Sequence, residues 1–263
     1  MAESVLQNLD EHGVLTLVLN RPEVHNAFDD TQIALLTGLL LNADRDTKVR
    51  VIILTGSGDT FCAGGDISWM KKTASLDMGQ NYEDALRLAE LMSVLNSIGK
   101  PTIAKVNGPA YGGGVGLIAC CDIAVASNDA RFALSEVRLG LAPAVISPYV
   151  IAALGVRQSR RYMLTGEAFD AAHAERLGLL HETVAPEALN PHVEHLATLL
   201  LKGGPMAIRE SKELIGMVSH TDRSSNQTIS RRTAEIIAQI RVSPEGQEGL
   251  GAFLEKRKPS WQH

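Results

Sequence analysis

A layered α/β domain that passes into a helical C-terminal part is the fold class this 263-residue sequence predicts. Three observations predict it. β-favouring runs alternate with helix-spaced apolar residues over residues 5–126, two glycine-rich loops at 56–66 and 106–122 punctuate the alternation, and from about Gly155 the pattern turns mostly helical. No flexible linker separates the two parts, and no internal repeat or low-complexity segment interrupts them.

Val5–Leu9 and Val14–Leu19 favour strand and flank Asp-Glu-His-Gly, whose Gly13 can supply a positive φ, so they predict a hairpin. Residues 20–26 form a polar loop, after which Asp29 or Asp30 can cap a helix carrying Ile33, Leu36, Leu39 and Leu40 on one side. Residues 49–54 predict a buried strand that ends at Thr-Gly-Ser-Gly. Residues 82–98 set Ala85, Leu88, Leu91, Met92 and Leu95 at helical spacing. Residues 101–107 are β-rich, and an apolar run suited to a buried helix leaves the glycines that follow. Residues 123–126 predict another strand, and 131–136 a short extended piece running into a loop. Later helices are predicted over 171–177, 191–201, 205–218, 229–240 and 244–258.

A hydrophobic content of 45% supports a large core, and a net charge of −5 argues against nucleic acid as a partner, since its phosphates demand a basic face. No apolar run reaches the roughly 18 residues that suggest a membrane span. The first ten residues lack the basic and apolar regions of a secretory signal and the arginines of a transit peptide. Cys62, Cys120 and Cys121 lack zinc-site spacing, and the eight histidines include no HExxH. Together these predict a reducing, cytoplasmic setting without a metal.

Gly112, Gly113, Gly114 and Gly116 order at a high entropic cost, which implies that bare backbone is needed there. At a helix N-terminus such backbone offers unpaired N–H groups and partial positive charge, suited to an oxyanion, a carboxylate or a phosphate. The glycines are too closely spaced for a dinucleotide fingerprint, and no P-loop lysine follows. Ser135 has no nucleophile-elbow context.

Several motifs, in this order, make the chain resemble the enoyl-CoA hydratase, or crotonase, superfamily. They are Phe61-Cys-Ala-Gly-Gly-Asp-Ile67, Val106-Asn-Gly-Pro-Ala-Tyr-Gly-Gly-Gly114, Cys121-Asp-Ile123, Phe132 to Glu136, Leu139-Gly-Leu141, Leu164-Thr-Gly166, Ala174 to Leu180 and Phe253-Leu-Glu-Lys-Arg-Lys258. The resemblance covers nearly the whole chain. It implies a crotonase-like spiral of ββα units over 1–200, a helical trimerisation region over 201–263, assembly as a homotrimer or dimer of trimers, and an acyl-CoA thioester substrate with no further cofactor.

Carried over by position, the resemblance gives the oxyanion hole to the N–H groups of Ala63 and Gly113 and acid/base chemistry to Glu136. Such donors suit a thioester, because charge builds on its oxygen as an enolate forms. A carboxyl group beside a buried thioester has its pKa raised by desolvation, favouring proton transfer near neutral pH. For the CoA ester the resemblance implies contacts from His25 to Ala27 and from Ala63 through Gly64, Gly65 and Asp66 to Ile67, with Tyr111 and Gly112 beside Gly113. Phe253 and Lys256 are implied to reach CoA from a neighbouring subunit.

One position departs from the pattern. The two-carboxylate hydratases carry a second Glu two residues after the glycine triplet, where this chain has Gly116. Glu136 alone can still pass a proton between water and the α-carbon in hydration, or between two carbons in double-bond isomerisation; an acyl-CoA-binding protein without turnover is a third reading. The segments Glu136–Tyr149 and Arg157–Tyr162 resemble bacterial 3-methylglutaconyl-CoA hydratases and their isoprenoid-pathway relatives. That favours hydration of a branched, carboxylated enoyl-CoA, with Arg138 or Arg157 as candidates to meet the distal carboxylate.

Overall fold

The N-terminal hairpin is present: β1 (Val5–Leu9) pairs antiparallel with β2 (Val14–Leu19), and Gly13 turns between them at a φ of 90°. The computed structural model describes residues 3–220 and 226–262. Asp29, rather than Asp30, caps α1 (Asp30–Arg45) by accepting from the Gln32 N–H. Then follow β3 (Val51–Gly56), α2 (Ile67–Thr73), α3 (Met78–Ser97), β4 (Thr102–Val106), β5 (Ala110–Tyr111), α4 (Gly113–Cys120), β6 (Ile123–Ser127) and β7 (Arg131–Ala133). A 3₁₀ turn over Glu136–Leu139 leads to α5 (Ser147–Thr165), β8 (Phe169–Asp170), α6 (Ala171–Leu177), β9 (Glu182–Val184) and α7 (Pro186–Leu201). The chain ends in α8 (Pro205–His220), α9 (Asn226–Val242) and α10 (Pro244–Leu254). Of the expected C-terminal region 201–263, residues 221–225 and His263 lie outside the described residues.

Six strands form one sheet in the order β1-β2-β3-β4-β6-β9, parallel throughout except for the hairpin. β3 is buried at five of its six positions, as a parallel strand covered on both faces must be, and its sequence is accordingly a continuous apolar run. One core packs α1, α3, α4 and α5 against one face of this sheet, with Leu17, Ile52, Leu54, Ala104 and Leu117 inside it. A smaller core on the other face holds Val51, Ile53, Ile103 and Val125 against Leu189, Val193 and Ala197 of α7.

The sequence pattern predicts no separate helix for α2 or α5, and it starts α7 five residues late. α2 is short and buries no residue completely, so it lacks the apolar period that betrays a longer helix. α5 is interrupted at Gly155, which sits at φ 74° inside it, and the break disperses its periodicity. α7 begins with Pro186 at its first turn and carries Pro191 within its own N-terminal half, which masks its start.

Candidate active site

Short strand pairings bring the two glycine loops and Glu136 together. β5 pairs with β7 so that Tyr111 lies opposite Ala133, and the Gly112 N–H donates to the Ala133 carbonyl at 2.9 Å. The chain continues from that pairing to Gly113 on one strand and to Glu136 on the other. Isolated bridges join Cys62 to Ala110 and Phe28 to Gly65. In the second bridge the Phe28 N–H donates to the Gly64 carbonyl at 2.8 Å and the Asp66 N–H to the Phe28 carbonyl at 2.9 Å. Both bonds flank Gly65, so its own N–H points away from Phe28 and has no acceptor among the described residues.

Gly113 opens α4, and as the first helical residue it has no intrahelical acceptor for its N–H. A Cβ on Gly64 would lie 3.5 Å from the Gly113 nitrogen, so the two loops stand side by side. The expected partner of Gly113 differs from what the backbone offers. The Ala63 N–H donates to the His25 carbonyl at 3.0 Å, whereas the free donor of that loop is Gly65, two residues on. Which amide a loop leaves free depends on the segment lying beside it, here 25–28, and that neighbour is set by tertiary contact.

Glu136 and both loops line one cavity of about 340 Å³. Its Oε2 is buried with no hydrogen-bond partner among the described residues. Burial raises its carboxyl above the ordinary value, against a smaller lowering by its own backbone N–H. A Cβ on Gly112 would lie 3.0 Å from Glu136 Oε1, and Gly112 has φ 50° and ψ −118°, so only glycine suits both the conformation and the carboxylate beside it. Among the cavity's lining residues Glu136 is the one carboxylate.

The rest of the wall is apolar. Phe28, Trp69 and Met70 form one side, Ala85 and Leu88 of α3 another, and residues 142–146 a third. Gly116 is buried in the first turns of α4, and a Cβ there would run into Ile146 Cγ2 and lie 2.8 Å from Ile146 Cβ. An aliphatic side chain therefore holds the space into which a second carboxylate would extend.

The remaining expected contacts divide by distance from this cavity. Ala63, Gly64, Gly65, Tyr111, Gly112 and Gly113 line it; His25, Ala27, Asp66 and Ile67 do not. His25 and Asn26 are both left-handed, at φ 55° and 56°, and Ile67 is 71% exposed. Arg138 is exposed and packs toward Gly166, and Arg157 is exposed on α5, and neither lines this cavity. Phe253 is 80% exposed on α10 and Lys256 is exposed just beyond it, both off the cavity of their own chain.

Asp66 has a task other than ligand contact. Its Oδ1 accepts from the Ser68 and Trp69 N–H groups to cap α2, and its Oδ2 accepts from Arg21 at 2.8 Å. Burial pushes its carboxyl up, but these N–H groups and the Arg21 guanidinium outweigh that and hold it below the ordinary range. Arg21 also donates to the Ala27 carbonyl at 2.8 Å and pairs with Asp29 at 3.0 Å. Asn26, fully buried, donates to the Ser57 and Thr60 carbonyls and accepts from the Arg21 N–H. These two residues brace the Ala63–Gly65 loop; Asn26 lies within the 25–27 stretch expected to contact CoA, whereas Arg21 reads in the sequence only as part of a polar loop. Their signal was the asparagine and arginine beside a proline turn, but polar loops carry such residues for many reasons.

Burial pushes the thiols of Cys62 and Cys121 up to about 12 and that of Cys120 up as well, which suits packing rather than nucleophilic use. No group of three or more metal-ligating side chains occurs among the described residues, and no helix among them is long and apolar enough to cross a membrane.

Residues 10–263 match the family described as enoyl-CoA hydratase/isomerase. The crotonyl-CoA hydratase of Syntrophomonas wolfei is 32% identical over 256 residues, covering 95% of each chain. The 2,3-dehydroadipyl-CoA hydratase of Escherichia coli is 30% identical over 253 residues, covering 96% of each. The crystal structure of an enoyl-CoA hydratase from Shewanella pealeana superposes with a TM-score of 0.93 at 44% identity, covering 98% of this chain and 96% of that one.

Proposed function

The chain belongs to the enoyl-CoA hydratase/isomerase family and has the fold of its enzymes; from that premise we propose that it reversibly adds water to a branched α,β-unsaturated acyl-CoA, with Glu136 as its one proton-transferring group. The observation that carries this reading is a single half-buried carboxylate sharing one cavity with two unengaged N–H groups. The thioester oxygen takes the N–H groups of Gly65 and Gly113, where donors already in place stabilise the charge that develops. Glu136, ionised, accepts a proton from water as that water's oxygen bonds to the β-carbon. The electron pair of the double bond moves through the α-carbon to make an enolate, and Glu136 then returns its proton to the α-carbon. Atoms balance: one water is added, and Glu136 ends as it began.

The acyl end is proposed to be branched and uncharged. A distal carboxylate, the finer expectation of the sequence, finds no cation among the described lining residues. Purified protein should discharge the conjugated-thioester absorbance of crotonyl-CoA and 3-methylcrotonyl-CoA, with 3-methylglutaconyl-CoA turned over no better than the uncharged analogue. A preference of tenfold or more for the carboxylated ester, about 1.4 kcal/mol, would overturn the uncharged assignment. Isomerisation is the second reading, favoured by the lone carboxylate, since moving one proton between two carbons needs only one base; turnover confined to shifting a 3-enoyl double bond selects it.

We also assign residues 201–263 to trimer formation. Exposed apolar side chains along α8–α10, including Ile215, Val242, Phe253 and Leu254, support this. Light scattering that finds only a monomer overturns it, along with any reach of Phe253 or Lys256 into a neighbour's CoA site.

A further inference from the structure

We propose that Ile146 is a specificity-determining residue that limits how much substituent the substrate can carry at its reacting carbons, and that Gly116 is glycine because Ile146 occupies its side-chain space. Three observations place Ile146 at that point. It lines the cavity, yet only 3% of it is exposed, so it is a fixed wall rather than a mobile surface group. It abuts Gly116, which stands one helical turn after Gly113 on the same face of α4 and whose N–H donates to the Gly112 carbonyl at 3.2 Å. Gly112 is the residue against which the Glu136 carboxylate rests, and Gly113 offers the free N–H.

The interlock is tight. A Cβ at 116 meets both Ile146 Cγ2 and, at 2.8 Å, Ile146 Cβ; the second of these cannot be relieved by turning the side chain about its Cα–Cβ bond, because Cβ does not move. Met92 Cε, 3.4 Å from the same point, closes the space from the α3 side. Any side chain at 116 must therefore displace the backbone that leads into α5, and a closely packed interior resists such a shift. The branch of Ile146 makes this part of the wall apolar, and Glu136 is the one carboxylate among the described lining residues. The same branch sets the width available to a group attached at the double bond.

Removing the branch with Ile146→Ala should enlarge the cavity at that point. Because one methylene in an apolar pocket discriminates by about 10-fold or more, the ratio of kcat/KM for a 3-ethyl-substituted enoyl-CoA to that for crotonyl-CoA should rise at least about 10-fold, with Ile146→Val intermediate. An equal fall for both esters, leaving the ratio unchanged in a folded variant, overturns the proposal. The inference rests on the hydratase reading, so the same comparison is made by calorimetry with the saturated 3-ethyl and unbranched acyl-CoAs, which bind without reacting. A shifted binding ratio without any turnover in the parent protein would sink the hydratase reading and leave the role of Ile146 standing. The interlock has its own test: Gly116→Ala should lower the urea midpoint, and adding Ile146→Ala should recover part of the loss. A double variant less stable than the two separate losses together would contradict it.

Discussion

The two glycine loops that stand side by side at the cavity are built on opposite principles. The 63–66 loop is braced by polar side chains: Asp66 is held by Arg21, and Asn26 ties down the carbonyls of Ser57 and Thr60. The 112–116 loop is braced by the absence of side chains. A Cβ on Gly113 would strike the ring of Phe28, and one on Gly116 would strike Ile146. The first loop owes its position to directed hydrogen bonds and charge, the second to close contact. Each loop leaves one N–H without an acceptor among the described residues, Gly65 in the first and Gly113 in the second, and both residues line the cavity.

The carboxylate belongs to the close-packed side, and its removal should have the largest effect. Glu136→Gln is expected to lower kcat by about 10²–10⁴-fold, the usual contribution of general acid–base catalysis, with the fold intact. Turnover indifferent to this change would mean that Glu136 is not the proton-transferring group. Its pH dependence follows from burial. Glu136 keeps its proton to a higher pH in the folded protein than the ordinary value of 4.5 it has when unfolded. Its contribution to stability is therefore greatest below 4.5 and is lost as the pH rises through the raised value. Denaturation midpoints of Glu136→Gln and the parent should converge in acid, with the variant the more stable at neutral pH. The acid limb of kcat/KM should lie above 4.5 and vanish in the variant.

Next in size, Gly113→Ala sets a methyl against the Phe28 ring and moves a donor. A barrier increase of about 2.7–4 kcal/mol, the cost of losing one such donor, is expected in kcat. Overpacking should cost about 1–3 kcal/mol of stability in the same variant. Activity retained within a few-fold would mean that Gly113 is not a donor.

The smallest effect on rate is expected on the polar side. Arg21→Ala leaves Asp66 with its two capping N–H groups but without its cation, and the pair is largely shielded, at 19% and 7% side-chain exposure. A stability loss of about 2–3 kcal/mol is expected, below the 3–5 of a fully buried pair that keeps no other partner. Denaturant titration reads that loss, and steady-state kinetics should show a smaller fall in kcat than Gly113→Ala gives. If Arg21→Ala instead matches Gly113→Ala in kcat while staying stable, the distinction between the two loops fails.

Much of this was legible in the chain. Hairpin and parallel strands could be read because alternation and continuous apolar runs report burial on one face or two, as β2 and β3 demonstrate. Glu136 and Gly113 could be named from motif order and share the cavity. The motif points to the Ala63 amide, but hydrogen-bond use is not a property of the loop alone: the His25 carbonyl takes that amide, and the Phe28 bridge turns the Gly65 N–H outward. The charge of Arg138 and its place two residues after Glu136 point to the site, but the 3₁₀ turn sends its side chain toward Gly166.

What the sequence by itself determined is the alternation of elements, the family, and the chemical types present: a glutamate at 136, two glycine loops, and glycine in place of a second acid at 116. Periodicity and motif order are local or linear properties, so they survive without coordinates. Only the tertiary structure decided which amides remain unbonded, that Arg138 and Arg157 do not line the cavity beside Glu136, and that Ile146 fills the space beside Gly116. Each of these depends on two segments far apart in the chain arriving within a few ångströms of each other, and that proximity is set by packing.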